Sequence, residues 1–289
     1  MELRVLKYFL IVAREENITK AAALLRITQP TLSRQLMQLE KELGVTLFRR
    51  SKHRIILTED GMLLKRRAQE MVSLSEKTIW ELSHKAELLS GEIAIGCGET
   101  RSMSFLSERI KLFQRECPLV QFSIYSATAD DIKERIEKGV LDLGLLMEPV
   151  DIGTYEFFRM PQKERWGALV RRDSPLAARK SVSPEDLAAV PLLMAKRELV
   201  KNELASWFGD YYEQLKIPAT YNLIVNAAMM VKSGIGAALC FDLGAIYKEE
   251  LCFVPLEPVL ETGAVLVWKK NQILSATVSR FIKCVKNAM

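Results

Sequence analysis

The sequence has few of the residues that carry most enzyme and metal chemistry. Histidine occurs at positions 53 and 84 alone, and no G-x-S-x-G, P-loop or H-E-x-x-H run is present. The five cysteines are scattered, odd in number and never in a C-x-x-C arrangement, which argues against a zinc site or a disulfide framework. We therefore expect a protein that is not an enzyme and that needs neither a metal nor a cofactor.

Long hydrophobic runs are also missing, because no segment approaches the ~20 uninterrupted apolar residues of a membrane span. The first 16 residues have an apolar stripe that Arg4, Lys7 and Arg14 interrupt, so they predict an amphipathic helix and not a signal peptide. At 289 residues, 49% hydrophobic and 27% charged, the chain is long enough for two or three globular domains. We expect a cytoplasmic protein with no membrane partner.

The net positive charge of the chain is confined to its N-terminal end. Residues 1–58 hold 11 Lys and Arg against 5 Asp and Glu, whereas residues 59–289 hold 30 against 31. Such segregation is typical of a surface that neutralises the phosphates of nucleic acid.

Residues 17–58 predict two short helices, a tight turn and a basic hairpin. A helix from Thr19 to Arg26, capped by Thr19, precedes a second helix that Thr28 caps and that has a proline in its first turn. On the second helix one apolar face is expected to be buried, and Gly44 then ends the helix in a left-handed conformation. That face consists of Leu32, Leu36, Leu39 and Leu43.

Two short strands, Thr46–Arg50 and Arg54–Thr58, are predicted next and would form a wing with four cations. A helix with polar residues opposite its leucines, followed by a basic wing, favours DNA binding. Arg and Gln side chains can pair with guanine and adenine in the major groove, while Ser, Thr and the wing cations suit phosphate and sugar contacts. The candidate DNA-binding residues are Thr28, Gln29, Pro30, Thr31, Ser33, Arg34, Gln35, Gln38, Arg49, Arg50, Lys52 and Arg54.

From Glu59 to about Leu89 apolar residues return every three or four positions with no proline. This spacing predicts one long helix that finds its core in a second copy of the chain, as a dimer coil. The alternative is a long helix that lies on its own domain.

After Gly91 the pattern changes to alternating short strands and helices, which predicts parallel strands with crossover helices. The last strand, at 264–268, and the last helix, at 275–285, are expected to return to the first of two units. We therefore divide the chain into a DNA-binding domain (1–58), a linker helix (59–90) and a C-terminal domain (91–289). The C-terminal domain comprises lobe I (91–161 and 264–289) and lobe II (162–263), with a cleft between them.

The loop from Gly96 to Arg101 leaves a strand and opens a helix at Ser102. The free N–H groups of that helix can hold an anionic or carbonyl group of a small ligand. A purely structural turn is the alternative interpretation.

The motif run resembles that of LysR-type transcriptional regulators. The resemblance rests on residues 28–35 (TQPTLSRQ), Leu39-Glu40, Leu43-Gly44, 47–50 (LFRR) and 57–61 (LTEDG), and more loosely on 141–144 (LDLG) and 233–239 (SGIGAAL). It implies an N-terminal all-α winged helix-turn-helix and a long linker helix that forms the dimer. A two-lobed α/β effector domain similar to periplasmic binding proteins would follow.

The same resemblance implies a homodimer or homotetramer that binds an interrupted inverted repeat in double-stranded DNA and contacts RNA polymerase. A small-molecule inducer would lie between the lobes. Arg101, Lys196 and Arg197 suggest an organic anion, with an exposed position for the last two as the alternative. The effector-binding residues carried over by position are Thr100, Arg101, Ser102, Thr128, Met147, Ala195, Lys196 and Phe241.

Three other functions remain open at this stage. Oxidation of a thiol could replace ligand binding, an enzyme could be fused to a DNA anchor, or the chain could be an architectural DNA protein without a ligand.

Overall fold

The computed structural model describes residues 1–50, 55–83, 89–244 and 250–287. The chain divides into two compact units, Met1–Ala86 and Glu87–Met289. Among the described residues, no helix is both long and apolar enough to cross a membrane.

Four helices and a two-stranded hairpin make up the N-terminal unit. The second helix begins one residue earlier than expected, because Asn17 and not Thr19 accepts the N–H of Lys20. The third begins and ends as the sequence predicts, with the Thr28 hydroxyl accepting from Thr31 N and Gly44 at a φ of 71°. The elements are α1 (Leu3–Glu15), α2 (Ile18–Leu25), α3 (Gln29–Leu43), β1 (Phe48–Arg50), β2 (Ile55–Leu57) and α4 (Glu59–Ser83).

The core of this unit lies between α1, α2, α3 and the first half of α4. Three of the four predicted leucines of α3 are buried, but Leu43 is 37% exposed because it lies in the last turn, beyond the packed face. The first half of α4 contributes Leu64, Ala68, Met71 and Val72 to the same core. The expectation that this helix has no core in its own domain was therefore wrong for its first half, whereas Leu74 and Ile79 further along are 42% and 64% exposed.

The hairpin is fastened to α3 and α4 by a few polar contacts. The carboxylate of Glu40 accepts the N–H groups of Leu47 and Phe48, and the Thr58 hydroxyl bonds Thr46 O and Gly61 N. Gly61 lies so close to the chain that a Cβ there would come within 2.2 Å of Leu47 O. A glycine is required here because the start of α4 passes against the backbone that enters the wing.

The C-terminal unit contains two sheets. The first sheet has the strand order β4-β3-β5-β13-β6, in which β3 runs parallel to β4 and β5, and β13 runs antiparallel to β5 and β6. Its strands are β3 (Ser90–Cys97), β4 (Leu119–Ser126), β5 (Leu143–Met147), β6 (Tyr155–Arg159) and β13 (Ala264–Lys269), with helices α5 (Ser102–Glu116), α6 (Ala129–Glu137) and α10 (Ala276–Lys286).

The second sheet has the order β11-β7-β10-β8-β9, with β12 pairing β7. Only β8, β9 and β10 are parallel to one another, so both sheets are mixed rather than parallel. Its strands are β7 (Glu164–Arg171), β8 (Leu192–Ala195), β9 (Ala219–Tyr221), β10 (Ala237–Phe241), β11 (Leu251–Pro255) and β12 (Glu261–Thr262), with helices α7 (Pro184–Ala188), α8 (Glu198–Phe208) and α9 (Ile224–Lys232).

The chain passes between the sheets twice, at the start of β7 and at the end of β12, and these two strands pair with each other there. Thr262 lies opposite Glu164, and Glu261 lies opposite Arg165. The crossing therefore forms a short antiparallel ribbon and not two separate loops.

Several elements differ from the sequence-based expectation. The alternating pattern predicts a strand at 221–225, but the strand ends at Tyr221 and α9 begins at Ile224. The same pattern predicts a helix near 202–214, whereas the observed helix begins at Glu198 and is followed by a 3-10 helix from Gly209 to Gln214. Strands β6, β11 and β12 and helix α7 were not expected, since segments of two to five residues are too short for a periodic pattern.

We expect Gly61→Ala to lower the free energy of unfolding of the N-terminal unit by about 1–3 kcal/mol, because the added methyl group collides with backbone that cannot move freely. Urea unfolding followed by circular dichroism measures this. Gly153→Ala is a matched control, since its Cβ would approach only Asp151 Oδ1, at 3.4 Å. Equal stabilities for the two variants would contradict the close approach described above.

Candidate functional site

Helix α3 presents a polar face away from the core. Its buried face is formed by Leu32, Leu36 and Leu39. The candidate DNA-binding residues on the helix and its cap divide by exposure: Thr28, Gln29, Pro30, Thr31, Arg34 and Gln38 are exposed, whereas Ser33 and Gln35 are half-buried. The helix therefore offers an exposed surface of hydrogen-bonding side chains with one proline at its start.

Two exposed residues on this face were not among the candidates. Met37, which is 55% exposed, follows Arg34 by three positions, and Lys41 follows Arg34 by seven. These spacings place both on the side of the helix that carries Arg34. The helical period alone could have identified Met37, but an apolar residue at such a position was not considered as a DNA contact.

The wing has its expected antiparallel pairing, with Phe48 opposite Leu57 and Arg50 opposite Ile55. Arg49 is exposed on β1. The side chain of Arg50 and the whole of Lys52 and Arg54 lie outside the described residues. Phe48 packs its ring 5.2 Å from that of Phe9, which ties the wing to the core.

A cavity of about 410 Å³ opens between the two sheets of the C-terminal unit. Met147, Ala195 and Phe241 lie at the ends of β5, β8 and β10, where open α/β sheets bind ligands. Thr128 caps α6 beside them by accepting the N–H of Asp131. Five of the eight candidate effector-binding residues line this cavity: Thr128, Met147, Ala195, Lys196 and Phe241.

Most of the cavity wall is apolar. The rings of Trp166 and Phe241 pack against each other on one side, with centroids 4.3 Å apart and planes tilted by 53°. The Trp166 indole turns its N–H away to the hydroxyl of Thr262, at 2.8 Å. Aliphatic side chains complete the wall, including Ile132, Leu145, Leu146, Val200, Leu223 and Ile224.

Thr100, Arg101 and Ser102 lie elsewhere, at the start of α5, and there the expectation of free N–H groups was wrong. The carboxylate of Glu164 fills this position: it accepts the N–H of Arg101 at 3.2 Å and the N–H of Ser102 at 2.8 Å. The Ser102 hydroxyl, at 2.6 Å, and the Thr100 hydroxyl also donate to it. Because Glu164 is 1% exposed, this helix end already holds an anion from the chain itself.

Two of the three cations that suggested an anionic ligand are engaged with the protein. Arg101 forms an ion pair with Asp242 at 3.1 Å. Arg197 donates to Pro149 O at 2.8 Å, and its Nε lies 3.4 Å from Asp130. Lys196 is exposed. Arg101 and Arg197 are thus held by acceptors of the protein itself, whereas Lys196 lines the cavity, so the organic-anion hypothesis depends on Lys196.

All five cysteines are free, and the surroundings of four of them disfavour thiol chemistry. Burial is the main cause that raises the pKa of Cys97, Cys117, Cys240 and Cys284. Glu99 raises the pKa of Cys97 further. Reactive sensor thiols have a lowered pKa, since the thiolate is the reacting form.

Two family models match the chain. One describes the bacterial regulatory helix-turn-helix protein of the lysR family and matches residues 3–62. The other, the LysR substrate binding domain, matches residues 86–289 and so covers more than half of the chain. The chain belongs to the LysR family of transcriptional regulators. It has the family's helix-turn-helix domain and effector-binding domain, as the sequence resemblance predicted.

LysR-family regulators with similar sequences cover most of the chain. The HTH-type transcriptional regulator IlvY of Escherichia coli is 30% identical over 244 residues, which are 83% of this chain and 81% of that protein. AlsR of Bacillus subtilis is 30% identical over 263 residues, covering 86% and 85%. The uncharacterized regulator YybE of B. subtilis is 27% identical over 286 residues, covering 97% of each chain.

Solved LysR-family structures share the fold. The crystal structure of CbnR superposes with a TM-score of 0.77 at 22% identity and covers 99% of each chain. Full-length CbnR complexed with its target DNA superposes with a TM-score of 0.76 at 22% identity and covers 100% of each chain.

We expect Glu164→Ala to lower the free energy of unfolding of the C-terminal unit by about 3 kcal/mol, because buried N–H and hydroxyl donors lose a charged acceptor. Thermal unfolding followed by tryptophan fluorescence measures this. Glu261→Ala removes an exposed carboxylate of the same ribbon that lies 3.8 Å from Lys163, so it should cost less than about 1 kcal/mol. A stability for Glu164→Ala that equals that of the control would show that the buried carboxylate contributes little.

Proposed function

We propose that this LysR-type regulator reads DNA with the outward face of α3 and its wing, and that a small molecule in the cavity between the two sheets controls the regulation. The observation that carries the effector part is the 410 Å³ cavity with mostly apolar walls, at the ends of β5, β8 and β10. A cleft of this size and lining is typical of small-molecule sites.

In the proposed DNA complex, α3 lies in the major groove. Arg34 donates to guanine, and Gln29 and Gln38 contact base edges. Pro30 and Thr31 begin the helix at the groove, and Met37 offers an apolar surface that suits a thymine methyl group. Thr28, Ser33 and Gln35 contact the backbone near the helix start, where the exposed or half-buried positions of their side chains leave them accessible.

The wing supplies sequence-independent affinity in this proposal. Arg49 is exposed on a hairpin held by Glu40, and Arg50, Lys52 and Arg54 continue the basic segment. Contacts between these cations and phosphates release counterions, so affinity should fall as salt rises.

The effector contacts Thr128, Met147, Ala195, Lys196 and Phe241, which line the cavity. Thr100, Arg101 and Ser102 contribute indirectly, because they hold Glu164 at the crossing between the sheets. A ligand changes regulation only if it binds two arrangements of the regulator with different affinities.

We further propose the domain division 1–58, 59–90 and 91–289, with lobe I at 91–161 and 264–289 and lobe II at 162–263. The exposed Leu74 and Ile79 of α4 are suited to a second copy of the helix. A homodimer or homotetramer would then bind an interrupted inverted repeat and contact RNA polymerase, acting without catalysis.

Of the alternative functions, a thiol sensor is disfavoured by the raised pKa of Cys97, Cys117, Cys240 and Cys284.

Arg34→Ala should weaken binding to the operator about 5- to 150-fold, because a bidentate arginine–guanine pair contributes about 1–3 kcal/mol. The operator is first obtained by in vitro selection with the wild-type protein, and affinity is measured by fluorescence anisotropy at fixed salt. Arg66→Ala, which removes an exposed cation from α4, controls for net charge. If Arg34→Ala bound the selected operator as tightly as this control, α3 would not be the reading element.

Ala195→Phe should abolish effector binding, because the added ring occupies the cavity that Ala195 lines. The measurement is a thermal-shift screen of the full chain with hydrophobic alcohols, amides, amines and acids. A compound at ~100 times its Kd should stabilise the wild-type protein by about 2.7 kcal/mol. Ala178→Phe, at an exposed position of the same unit, should respond like wild type. A hit that stabilised Ala195→Phe equally would place its site elsewhere.

A further inference from the structure

Glu99 joins the two sides of the effector cavity. It follows β3 of the first sheet and lines the cavity. Its carboxylate accepts the N–H groups of Ile224 and Val225, the latter at 3.4 Å. These residues begin α9, which follows β9 of the second sheet. The N-cap residue Leu223 has no side chain that could accept these N–H groups, so a carboxylate from the opposite side of the cavity takes this role.

Both acidic and basic side chains line the cavity. Three carboxylates, those of Glu99, Asp130 and Glu198, line it together with two cations, Lys196 and Arg197. Arg197 is engaged by Asp130 and Pro149 O, and Lys196 is exposed. Glu99 thus carries an anionic charge at the point where the cavity meets the start of α9.

A carboxylate on a ligand would compete with Glu99 for the same N–H groups and would be repelled by its charge. Much of the remaining surface is apolar. Trp166, Phe241 and the aliphatic residues that surround them offer contact area without further hydrogen-bond donors, because the Trp166 N–H is used by Thr262.

We propose that Glu99 acts as an internal carboxylate ligand that links the two sheets across the cavity and occupies the N–H groups at the start of α9, so that a carboxylate of an effector cannot bind them. This inference rests on the proposed effector function of the cavity. It assigns to Glu99 the position that the carboxyl group of an acidic effector would otherwise take.

Chemical rescue tests the proposal. Glu99→Ala leaves the N–H groups of Ile224 and Val225 without their carboxylate and opens space in front of them. The thermal unfolding midpoint of the full-length variant is measured with added sodium acetate, with acetamide and with sodium chloride at equal ionic strength. We expect acetate to raise the midpoint of Glu99→Ala well above the values in acetamide and chloride, and to restore much of the difference from wild type.

Two other proteins serve as controls under the same conditions. Glu198→Ala removes another carboxylate from the cavity wall, but this one is 76% exposed and pairs with Lys201 at 3.6 Å. The unfolding midpoint of Glu198→Ala should rise no more in acetate than in acetamide or chloride, and the same holds for wild type. Glu99→Ser, with a short side chain that keeps the site polar, should repeat the response of Glu99→Ala if the alanine variant folds poorly.

The proposal is overturned if acetate stabilises all the proteins alike, or if it stabilises neither Glu99 variant more than acetamide does. Both results are independent of the screen with Ala195→Phe. If the acetate rescue fails, the proposed effector site is unaffected. If the thermal-shift screen fails but acetate rescues the Glu99 variants, the role of Glu99 stands without the proposed effector.

Discussion

The carboxylate of Glu164 is the interaction on which the C-terminal unit most depends. It lies at the start of β7, where the chain enters the second sheet, and it accepts hydrogen bonds from the first turn of α5, which packs on the first sheet. A buried carboxylate is costly unless its oxygens are bonded, and here backbone and hydroxyl donors satisfy them. The second sheet thus provides the carboxylate, and the donors at the start of α5 beside the first sheet bind it, which joins the two sheets.

The same crossing is connected to the cavity wall. Thr262 pairs with Glu164 in the ribbon, accepts the indole N–H of Trp166, and donates its hydroxyl to Glu203 at 3.3 Å. Burial raises the pKa of Glu203, so this contact lies in a poorly solvated environment. An occupant of the cavity that touches Trp166 therefore contacts a side chain bonded to the strands that link the sheets. Under the proposed function, this contact gives effector binding a physical route to the arrangement of the two sheets.

Carboxylates accept backbone N–H groups at several places among the described residues, and three of these places bear on the DNA-binding unit and the cavity. Glu40 holds the wing by accepting backbone N–H groups, Glu164 fills the start of α5, and Glu99 reaches the start of α9. Each satisfies donors that secondary structure leaves without partners. In the DNA-binding unit this keeps the basic wing beside α3, and in the effector unit it occupies positions that an anionic ligand could otherwise use.

Local sequence determined the elements whose stabilising contacts are close along the chain. The cap at Thr28, the leucine face of α3 and the glycine stop at Gly44 all depend on neighbours within one or two helical turns, so their pattern predicted them. The alternation of strands and helices after Gly91 predicted an α/β unit for the same reason. The motif run of residues 28–61 also identified the family, because many fixed positions agree within a short segment.

Tertiary structure alone decided the chemistry of the cavity between the two sheets. Glu164 lies more than 60 positions from the helix it caps, and Glu99 lies 125 positions from Ile224, so no local pattern shows that either helix start is already occupied. The same holds for Arg101 and Asp242, 141 positions apart. Sequence determined which groups could bind an anion. Only the fold decided that the chain's own carboxylates reach them, because long-range proximity is set by how the two sheets pack and not by spacing.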